Sequence, residues 1–247
     1  MKNTVLITGG TSGIGLALAT RFLKDGNTVI ICGRNEGKLR KAAEAHPGLH
    51  TVQADVSAAE DRVRLYETVK ESYADLNVLV NNAGIQQNTN MMAFDWELAK
   101  KEIATNFEAP IHLCGLFAPF LAGKENAQII NVSSGLAFFP PVWVPVYGAT
   151  KAGIHSFTFT LREQLRDKGI GVKEIIPPAV ATHLGDGSVQ GYGVDLEQFA
   201  DSVYKDILSG EQEIGFEYTK GTEDKTRREL EQGAVELSKR FWPPKSV

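Results

Sequence analysis

Tyr147 and Lys151 are the residues whose types and spacing most directly suggest chemistry. They lie four positions apart in the stretch VYGATK, so on a helix they would share a face and could reach a common point. A phenol with a reference pKa of about 10 is a poor base near pH 7, and an adjacent ammonium favours the phenolate and lowers that pKa. The pair could therefore move a proton to or from a substrate oxygen, although the same spacing also occurs on ordinary surface helices.

The composition argues against several other kinds of chemistry. The chain has 247 residues, of which 26 are basic and 30 acidic, and this mild net charge of −4 indicates neither a nucleic-acid nor an anionic-membrane partner. Cys32 and Cys114 lie far apart, and the five histidines lack metal-ligand spacing, so no disulfide framework or metal site is predicted. No apolar run is long enough to span a bilayer and no signal peptide is evident, so we expect a cytoplasmic location.

Short apolar runs alternate with helical segments along most of the chain. Such alternation predicts βαβ units, so we expect one α/β domain over residues 1–247. Its fold should be a Rossmann-like doubly wound parallel sheet of about seven strands with helices on both faces. Ser57 and Glu60 have the spacing of a capping box at the start of a helix over 58–73. The apolar runs that predict buried strands are 4–8, 28–32, 49–54, 77–81, 127–132 and 171–176.

Two stretches depart from this alternation. Residues 183–198 begin with a glycine-rich run and predict a mobile lid, and residues 217–247 form a charged C-terminal segment that we expect to be partly helical.

A glycine-rich turn, TGGTSGIG, follows the first predicted strand and precedes the first predicted helix. Gly9, Gly13 and Gly15 would let a phosphate approach backbone N–H groups at the N-terminus of that helix, where a Cβ would obstruct it. The alternative is a plain tight turn, but a strand–turn–helix at the start of such a fold is where dinucleotides bind.

Taken together, these motifs resemble the short-chain dehydrogenase/reductase family. The resemblance rests on the glycine spacing, on Tyr147 and Lys151, on NNAG at 81–84 and on NVSS at 131–134, and it extends over residues 3–182. The shorter stretches NNAGIQ, SGLAF, PVY and HSF are similar to the DltE-type branch of that family.

The resemblance implies four catalytic residues. Tyr147 would exchange a proton with a carbonyl or alcohol oxygen, Lys151 would assist it and bond the nicotinamide ribose, and Ser134 would polarise the same oxygen. Asn106 would hold a water molecule that connects Lys151 to solvent, unless it is an internal helix cap. Ser133, the neighbouring candidate, has the alternative role of a strand-end hydroxyl bonded to backbone.

The resemblance also implies a bound dinucleotide, and the residues after the second strand indicate NADP(H) rather than NAD(H). Gly33 stands where NAD-preferring relatives have an Asp, and Arg34 could reach a 2′-phosphate. Arg34 could instead be solvated, Asn35 could only cap a helix, and Asp55 could only form the turn before Ser57. The expected cofactor contacts are Gly9, Thr11, Ser12, Gly13, Ile14, Gly15, Arg34, Asn35, Asp55, Val56, Asn82, Ala83, Gly84, Tyr147, Lys151, Pro177, Val180 and Thr182.

The substrate side is less specific. The stretch AFFPPVWVPV at 137–146 favours an apolar carbonyl or alcohol substrate, unless these residues pack in the core or at a subunit interface. Pro178 replaces the glycine that is usual in the family, which should stiffen the segment leading to Val180. The helix over 147–168 is apolar on more than one side, and family members commonly dimerise through it. A cofactor-sensing binding protein without turnover is the alternative function.

Overall fold

The computed structural model describes residues 2–182, 184 and 193–241, and it contains one sheet of seven parallel strands. The strand order is β3-β2-β1-β4-β5-β6-β7, so the direction of winding reverses between β1 and β4. The predicted doubly wound α/β fold is therefore confirmed. The strands are β1 Thr4–Thr8, β2 Thr28–Gly33, β3 Leu49–Gln53, β4 Val78–Asn81, β5 Gln128–Val132, β6 Gly171–Ile176 and β7 Glu213–Gly215.

Helices cover both faces of the sheet because successive residues of each strand point to opposite sides. In β1, Val5 and Ile7 belong to a core layer shared with α1, α2 and α7, whereas Leu6 belongs to the layer shared with α3, α5 and α6. Within the described part of the chain, no helix is both long and apolar enough to cross a membrane. The helices are α1 Gly13–Lys24, α2 Glu36–Ala45, α3 Ala59–Ser72, α4 Trp96–Ile103, α5 Ala109–Leu121, α6 Pro145–Leu165, α7 Leu196–Ser209 and α8 Arg227–Phe241.

The predicted capping box at the start of α3 is wrong. The helix begins at Ala59, its N-cap position is Ala58, and no side chain of a described residue caps it. The Ser57 hydroxyl instead donates to Asp55 Oδ1 at 2.7 Å, a charge-assisted hydrogen bond that holds the side chain toward the preceding turn and away from the N–H groups of the helix.

The predicted lid lies mostly outside the described residues. The C-terminal end of the predicted lid, 183–198, has regular structure. Val194 forms a parallel bridge with Val180, and Asp195 caps α7 by accepting from the Gln198 N–H at 2.9 Å. The charged segment after residue 217 contains α8, as expected.

Candidate active site

The predicted site residues gather at the carboxyl ends of the strands around β1, β4 and β5. The reversal of strand order between β1 and β4 leaves a crevice there, which is where open α/β sheets bind ligands. The glycine turn after β1 forms one side of this crevice, and the N-terminal half of α6 forms another.

The glycine turn is held to the end of β4 by side-chain hydrogen bonds. The Asn82 amide donates to the Thr8 carbonyl at 2.9 Å, and the Thr8 hydroxyl accepts from the N–H groups of Asn82 and Ala83 at 3.0 Å each. Gly9 has a φ of +65°, and a Cβ there would lie 2.8 Å from the Ala83 Cα. A Cβ on Gly15 would lie 2.4 Å from the Asn82 amide nitrogen. Close packing of the turn on the NNAG segment therefore requires glycine at both positions.

The N-terminus of α1 is suited to an anion such as a pyrophosphate. Ser12 is its N-cap residue, but the side chain makes no capping hydrogen bond, and the first turn contains no acidic residue. Gly13, with φ +54°, faces Thr182, whose Cγ2 would lie 3.4 Å from an added Cβ. The uncapped helix terminus and the absence of side chains on the glycines fit a dinucleotide, and Thr11, Ile14 and Thr182 border the same turn.

At the end of β2, the structure places Arg34 in solvent. Arg34 is exposed and forms no ion pair with a described residue, while its carbonyl accepts from the Gln53 side chain at 3.2 Å. Asn35 caps α2 by accepting from the Lys38 N–H at 2.9 Å, so its side chain already has a structural role. A Cβ on Gly33 would approach Thr11 Cγ2 to 3.1 Å, so these two residues are neighbours.

Asp55 shapes the turn after β3. Its carboxylate accepts from the Ser57 N–H at 3.0 Å and from the Ser57 hydroxyl, and its own N–H donates to Asp61 Oδ2 at 2.8 Å. Val56 is buried, and its carbonyl accepts from the Arg62 guanidinium at 2.7 Å. The turn-forming role of Asp55 is thus present in the structure, and its contact with adenine stays a prediction.

Tyr147 lies in the first turn of α6 and is only 4% exposed. Burial raises the pKa of its hydroxyl to about 12, although a hydrogen bond with the Ser134 side chain acts in the opposite direction. The sequence led us to expect a lowered pKa for Tyr147, but in the structure its pKa is raised. Desolvation of the phenolate outweighs the contact with Ser134 that favours it. The site holds Tyr147 as a protonated phenol.

Ser134 and Ser133 have different environments, although they are adjacent. Ser134 ends the segment after β5, its hydroxyl accepts from the Leu136 N–H at 3.1 Å, and it reaches Tyr147. The Ser133 hydroxyl donates to the Ile175 carbonyl on β6 at 3.3 Å, which is the strand-end role foreseen for it.

Lys151 is buried one turn beyond Tyr147. Its Nζ donates to the Val132 carbonyl at 2.8 Å and lies 5.7 Å from the centroid of the Tyr147 ring. Burial lowers the pKa of its ammonium to about 8, and the carboxylates of Glu174 and Glu102 counteract part of that shift. Lys151 therefore remains mostly charged at neutral pH but titrates within reach of experiment.

Asn106 lies in a π-helical turn, Ala104–Glu108, between α4 and α5. Its amide donates to the Ile85 carbonyl at 2.7 Å, and its Oδ1 accepts from the Ile85 N–H at 2.9 Å. Asn106 therefore fixes the backbone that follows Gly84. An added Cβ on Gly84 would lie 3.5 Å from Asn106 Oδ1 and 3.7 Å from Lys151 Nζ, so these three residues form one cluster.

Glu102 belongs to this cluster, and the sequence reasoning missed it. It lies on α4, one turn before Asn106, and is completely buried. Its Oε1 accepts from the Gln87 N–H at 2.9 Å, while its Oε2 has no hydrogen-bond partner among the described residues. Burial raises the pKa of Glu102 to about 7, and the Gln87 N–H and Lys151 oppose that shift. The four-residue spacing from Asn106 is the one sequence signal that could have placed it here.

The segment after β6 borders the crevice from the other side. The Pro177 carbonyl accepts from the Gly135 N–H at 2.8 Å, which ties it to the Ser134 segment, and Val180 bridges to Val194. Tyr218, a second residue that the sequence reasoning missed, accepts from the Ala179 N–H through its hydroxyl at 2.9 Å. These contacts place Thr182 next to the glycine turn.

The aromatic residues between Ser134 and Tyr147 divide into different environments. Phe138 packs on the His155 ring, with centroids 4.6 Å apart, and a Cβ on Gly233 of α8 would lie 2.7 Å from the Phe139 ring. Val144 is fully buried, whereas Val142 is 49% exposed. Phe138 therefore packs against α6 and Phe139 against α8, so both have a packing role within the chain.

Comparison with known proteins gives the family. A family model described as short chain dehydrogenase matches residues 3–192. A protein of Bacillus subtilis (strain 168), named "Uncharacterized oxidoreductase DltE", is 46% identical over 237 residues, which cover 93% of this chain and 94% of that protein. The chain therefore belongs to the short-chain dehydrogenase/reductase family, in its DltE-type branch, and is an NAD(P)-dependent oxidoreductase.

Solved structures share the fold over the whole chain. A short-chain dehydrogenase from Sphingobium yanoikuyae in complex with NADPH has a TM-score of 0.83 at 23% identity and covers 99% of this chain and 98% of its own. A short-chain dehydrogenase/reductase from Burkholderia phymatum in complex with NAD has a TM-score of 0.84 at 22% identity, with coverage of 100% and 98%. Since one binds NADPH and the other NAD, the fold alone does not determine the dinucleotide.

Proposed function

We propose that this protein reduces a carbonyl compound with NADPH, or oxidises the corresponding secondary alcohol with NADP⁺. The observation that carries the proposal is that a buried, protonated Tyr147 lies beside Ser134, with Lys151 Nζ 5.7 Å from the centroid of its ring. A bound nicotinamide would supply or accept the hydride. Everything else in the reaction is assigned to side chains of this chain.

In this mechanism, Tyr147 donates its proton to the carbonyl oxygen as negative charge develops there, and Ser134 hydrogen-bonds the same oxygen. A raised phenol pKa suits this direction because it keeps the proton on Tyr147 until an alkoxide forms. Lys151 provides positive charge near the ring, and Asn106 holds the backbone that follows Gly84 through its two bonds to Ile85. The assignment of Tyr147, Lys151, Ser134 and Asn106 as the catalytic set is part of the proposal.

NADP(H) is the proposed cofactor because of the residues at the end of β2. Gly33 presents no carboxylate to repel a 2′-phosphate, and Arg34 is exposed without an acidic partner in the described ranges 2–182, 184 and 193–241. A guanidinium in this setting can bond a phosphate in bidentate fashion. The phosphates themselves are assigned to the uncapped N-terminus of α1 and to Thr182.

The proposed substrate is a small apolar carbonyl or alcohol, and the proposed assembly is a homo-oligomer in the cytoplasm. Phe159 supports the assembly because it lies on α6, is 56% exposed and would be covered if two copies packed through this helix. Sedimentation of the purified protein at several concentrations tests the assembly, and a monomer at all of them would contradict it.

The decisive experiment measures NADPH oxidation by the wild type against a panel of aldehydes, ketones and quinones, together with Tyr147→Phe. We expect Tyr147→Phe to lose turnover by at least about 10²–10⁴-fold, because positioned proton transfer contributes that much, while NADPH still binds. Wild-type turnover in the variant would refute the assignment of Tyr147. Tight NADPH binding by the wild type with no turnover on any substrate would favour the alternative, a cofactor-sensing binding protein.

A further inference from the structure

A buried acid and a half-buried histidine form a pair beneath the N-terminal half of α6. Glu174 lies on β6 and is completely buried, and its Oε2 is 2.9 Å from His155 Nδ1 on α6. The described residues offer no hydrogen-bond partner to its second oxygen, Oε1. A buried carboxylate with one oxygen unpaired is costly, so its position requires a compensating charge nearby.

Lys151 is the cation that the architecture brings to this carboxylate. Lys151 and His155 are four residues apart on α6 and thus share the face that packs on the sheet. The Lys151 ammonium bonds the Val132 carbonyl on β5, and Val132 pairs with Ile175, the residue after Glu174. Glu174 contributes more than Glu102 to keeping Lys151 charged in this buried position.

The surrounding sheet carries other polar side chains at this level. Asn131 is the cross-strand partner of Glu174 on β5, and its amide donates to the Thr158 hydroxyl of α6 at 2.9 Å. Asn131 also accepts from the Asn81 amide of β4 at 2.9 Å. A row of polar side chains therefore crosses β4, β5 and β6, and its part on β5 and β6 lies under α6.

On its outer side, His155 faces other charged groups. Glu174 raises the pKa of His155 through their hydrogen bond, with Glu213 of β7 acting in the same direction and burial and Arg162 of α6 acting against it. His155 also lines a cavity of about 610 Å³. The other charged residues that line this cavity are Glu213, Lys225, Arg227 and Glu231.

We propose that Glu174 is the internal counter-charge of Lys151, and that His155 is the positioning residue that holds its carboxylate in place by hydrogen bonding. This inference rests on the proposed function and deepens it. The pair of Glu174 and His155 keeps the Lys151 ammonium charged in its buried position near Tyr147. Glu102 faces Lys151 from α4 and supports the same charge from the other side. The proposal assigns no contact with the substrate to Glu174 or to His155.

The test is a pH titration of Lys151 in the full chain, monitored by NMR of lysine labelled with ¹³C at Cε. The Lys151 signal is assigned by its loss in Lys151→Met. Glu174→Gln should move the Lys151 titration to lower pH by about one unit, because a nearby opposite charge commonly shifts a pKa by that much or more. Glu213→Gln is the matched control, since it removes a carboxylate from the neighbouring strand, and it should leave the Lys151 titration in place.

Two variants of His155 keep the inference testable if Glu174→Gln does not fold. His155→Leu leaves the carboxylate without its donor and should move the Lys151 titration in the same direction, whereas His155→Gln keeps a donor and should move it less. If Lys151 titrates as in the wild type in both Glu174→Gln and His155→Leu, the inference is wrong.

The alkaline limb of the pH–rate profile provides a second readout. We expect it to move with the Lys151 titration in each variant, with kcat changing more than KM for NADPH. Using both the NMR titration and the pH–rate profile distinguishes failure of this inference from failure of the proposed function. A wild type without turnover would contradict the proposed function, while the NMR titration would still decide whether Glu174 supports Lys151.

Discussion

Arg34 is exposed at the end of β2, next to a glycine, and this arrangement leads to a prediction about the cofactor. A charge-assisted contact is worth about 1.5–3 kcal/mol, or roughly 10- to 150-fold in affinity. Arg34→Ala should therefore raise the KM for NADPH by about that factor and change the KM for NADH little. Steady-state kinetics with both dinucleotides measure the effect, and an equal loss for both would contradict the 2′-phosphate assignment.

The reciprocal variant adds a carboxylate at Gly33, and the structure shows what that change must overcome. A Cβ there would approach Thr11 Cγ2 to 3.1 Å, so Thr11 has to move by a few tenths of an ångström. We expect Gly33→Asp with Arg34→Ala to prefer NADH, and Gly33→Ala with Arg34→Ala is the control for crowding alone. A preference for NADH in the control as well would show that the carboxylate is not responsible.

Glu102 makes the stability of the protein dependent on pH. Its pKa is raised from 4.5 to about 7 by burial, so the native state binds this proton more tightly than the unfolded state does. The stabilisation is complete below about pH 4.5 and is lost as the pH rises through 7. Glu102→Gln keeps the bond to Gln87 without the charge and should be more stable than the wild type by about 1–3 kcal/mol at pH 8.

Chemical denaturation at pH 8 and at pH 4.5 measures this difference, which should disappear at the lower pH. Glu108→Gln is the control, because Glu108 is exposed and lies at the end of the π-helical turn that leads into α5. A Glu102→Gln variant that is less stable than the wild type at pH 8 would show that the charged carboxylate is stabilised by its surroundings, and it would contradict the raised pKa.

At the level of residues, the motifs pointed to Tyr147, Lys151, Ser134 and Asn106 because each motif requires its residue types at a fixed spacing. The structure brings these four residues to one crevice, and their catalytic roles stay predictions. The raised pKa of Tyr147 and the burial of Glu102 were not foreseen, since both depend on how α4 and α6 pack across the site. The way α4 and α6 pack against the site is not encoded in a local sequence pattern.

At the level of elements, Gly153 sets the distance between α6 and the π-helical turn that carries Asn106. A Cβ on Gly153 would lie 2.6 Å from the Phe107 ring, and Phe107 adjoins Asn106. Overpacking of this kind costs about 1–3 kcal/mol, and displacement of a site by about 1 Å can lower the rate by up to about 10²-fold. Gly153→Ala should therefore reduce kcat clearly while the protein remains folded.

Gly115→Ala is the matched control for that variant. Gly115 lies in the middle of α5, and an added Cβ would meet nothing within 4 Å. Alanine should stabilise α5 there by about 0.5–1 kcal/mol and leave kcat unchanged. If both variants have wild-type kcat, the spacing between α6 and the π-helical turn is not important for catalysis.

The six strands from β1 to β6 were predicted within one or two residues because buried parallel strands are continuous apolar runs with turns at both ends. The run that forms β7, Glu213–Gly215, is only three residues long and carries an acid, so periodicity could not locate it. The π-helical turn was also missed, because its apolar pattern reads as one uninterrupted helix from α4 into α5.

At the level of the whole molecule, the two core layers share every strand that carries the site. The glycine turn comes from the first half of the chain, and Tyr147 and Lys151 come from the second half, but both halves contribute to one sheet. The sequence predicted this arrangement from the alternation of strands and helices, because right-handed crossovers leave few other ways to bury both faces. It could not show how α8 contacts the segment before Tyr147, since that depends on Gly233 and Phe139 meeting in space.

This shared sheet predicts that the described domain unfolds as one unit and that the cofactor stabilises all of it. Urea unfolding followed by far-UV circular dichroism and by Trp fluorescence should give coincident transitions, because Val5 and Leu6 of one strand anchor opposite core layers. NADPH at 100 times its Kd should raise the free energy of unfolding by about 2.7 kcal/mol with both probes. Two separated transitions, or a shift by NADPH in only one of them, would mean that the halves fold independently and that the crevice between β1 and β4 is not where the dinucleotide joins them.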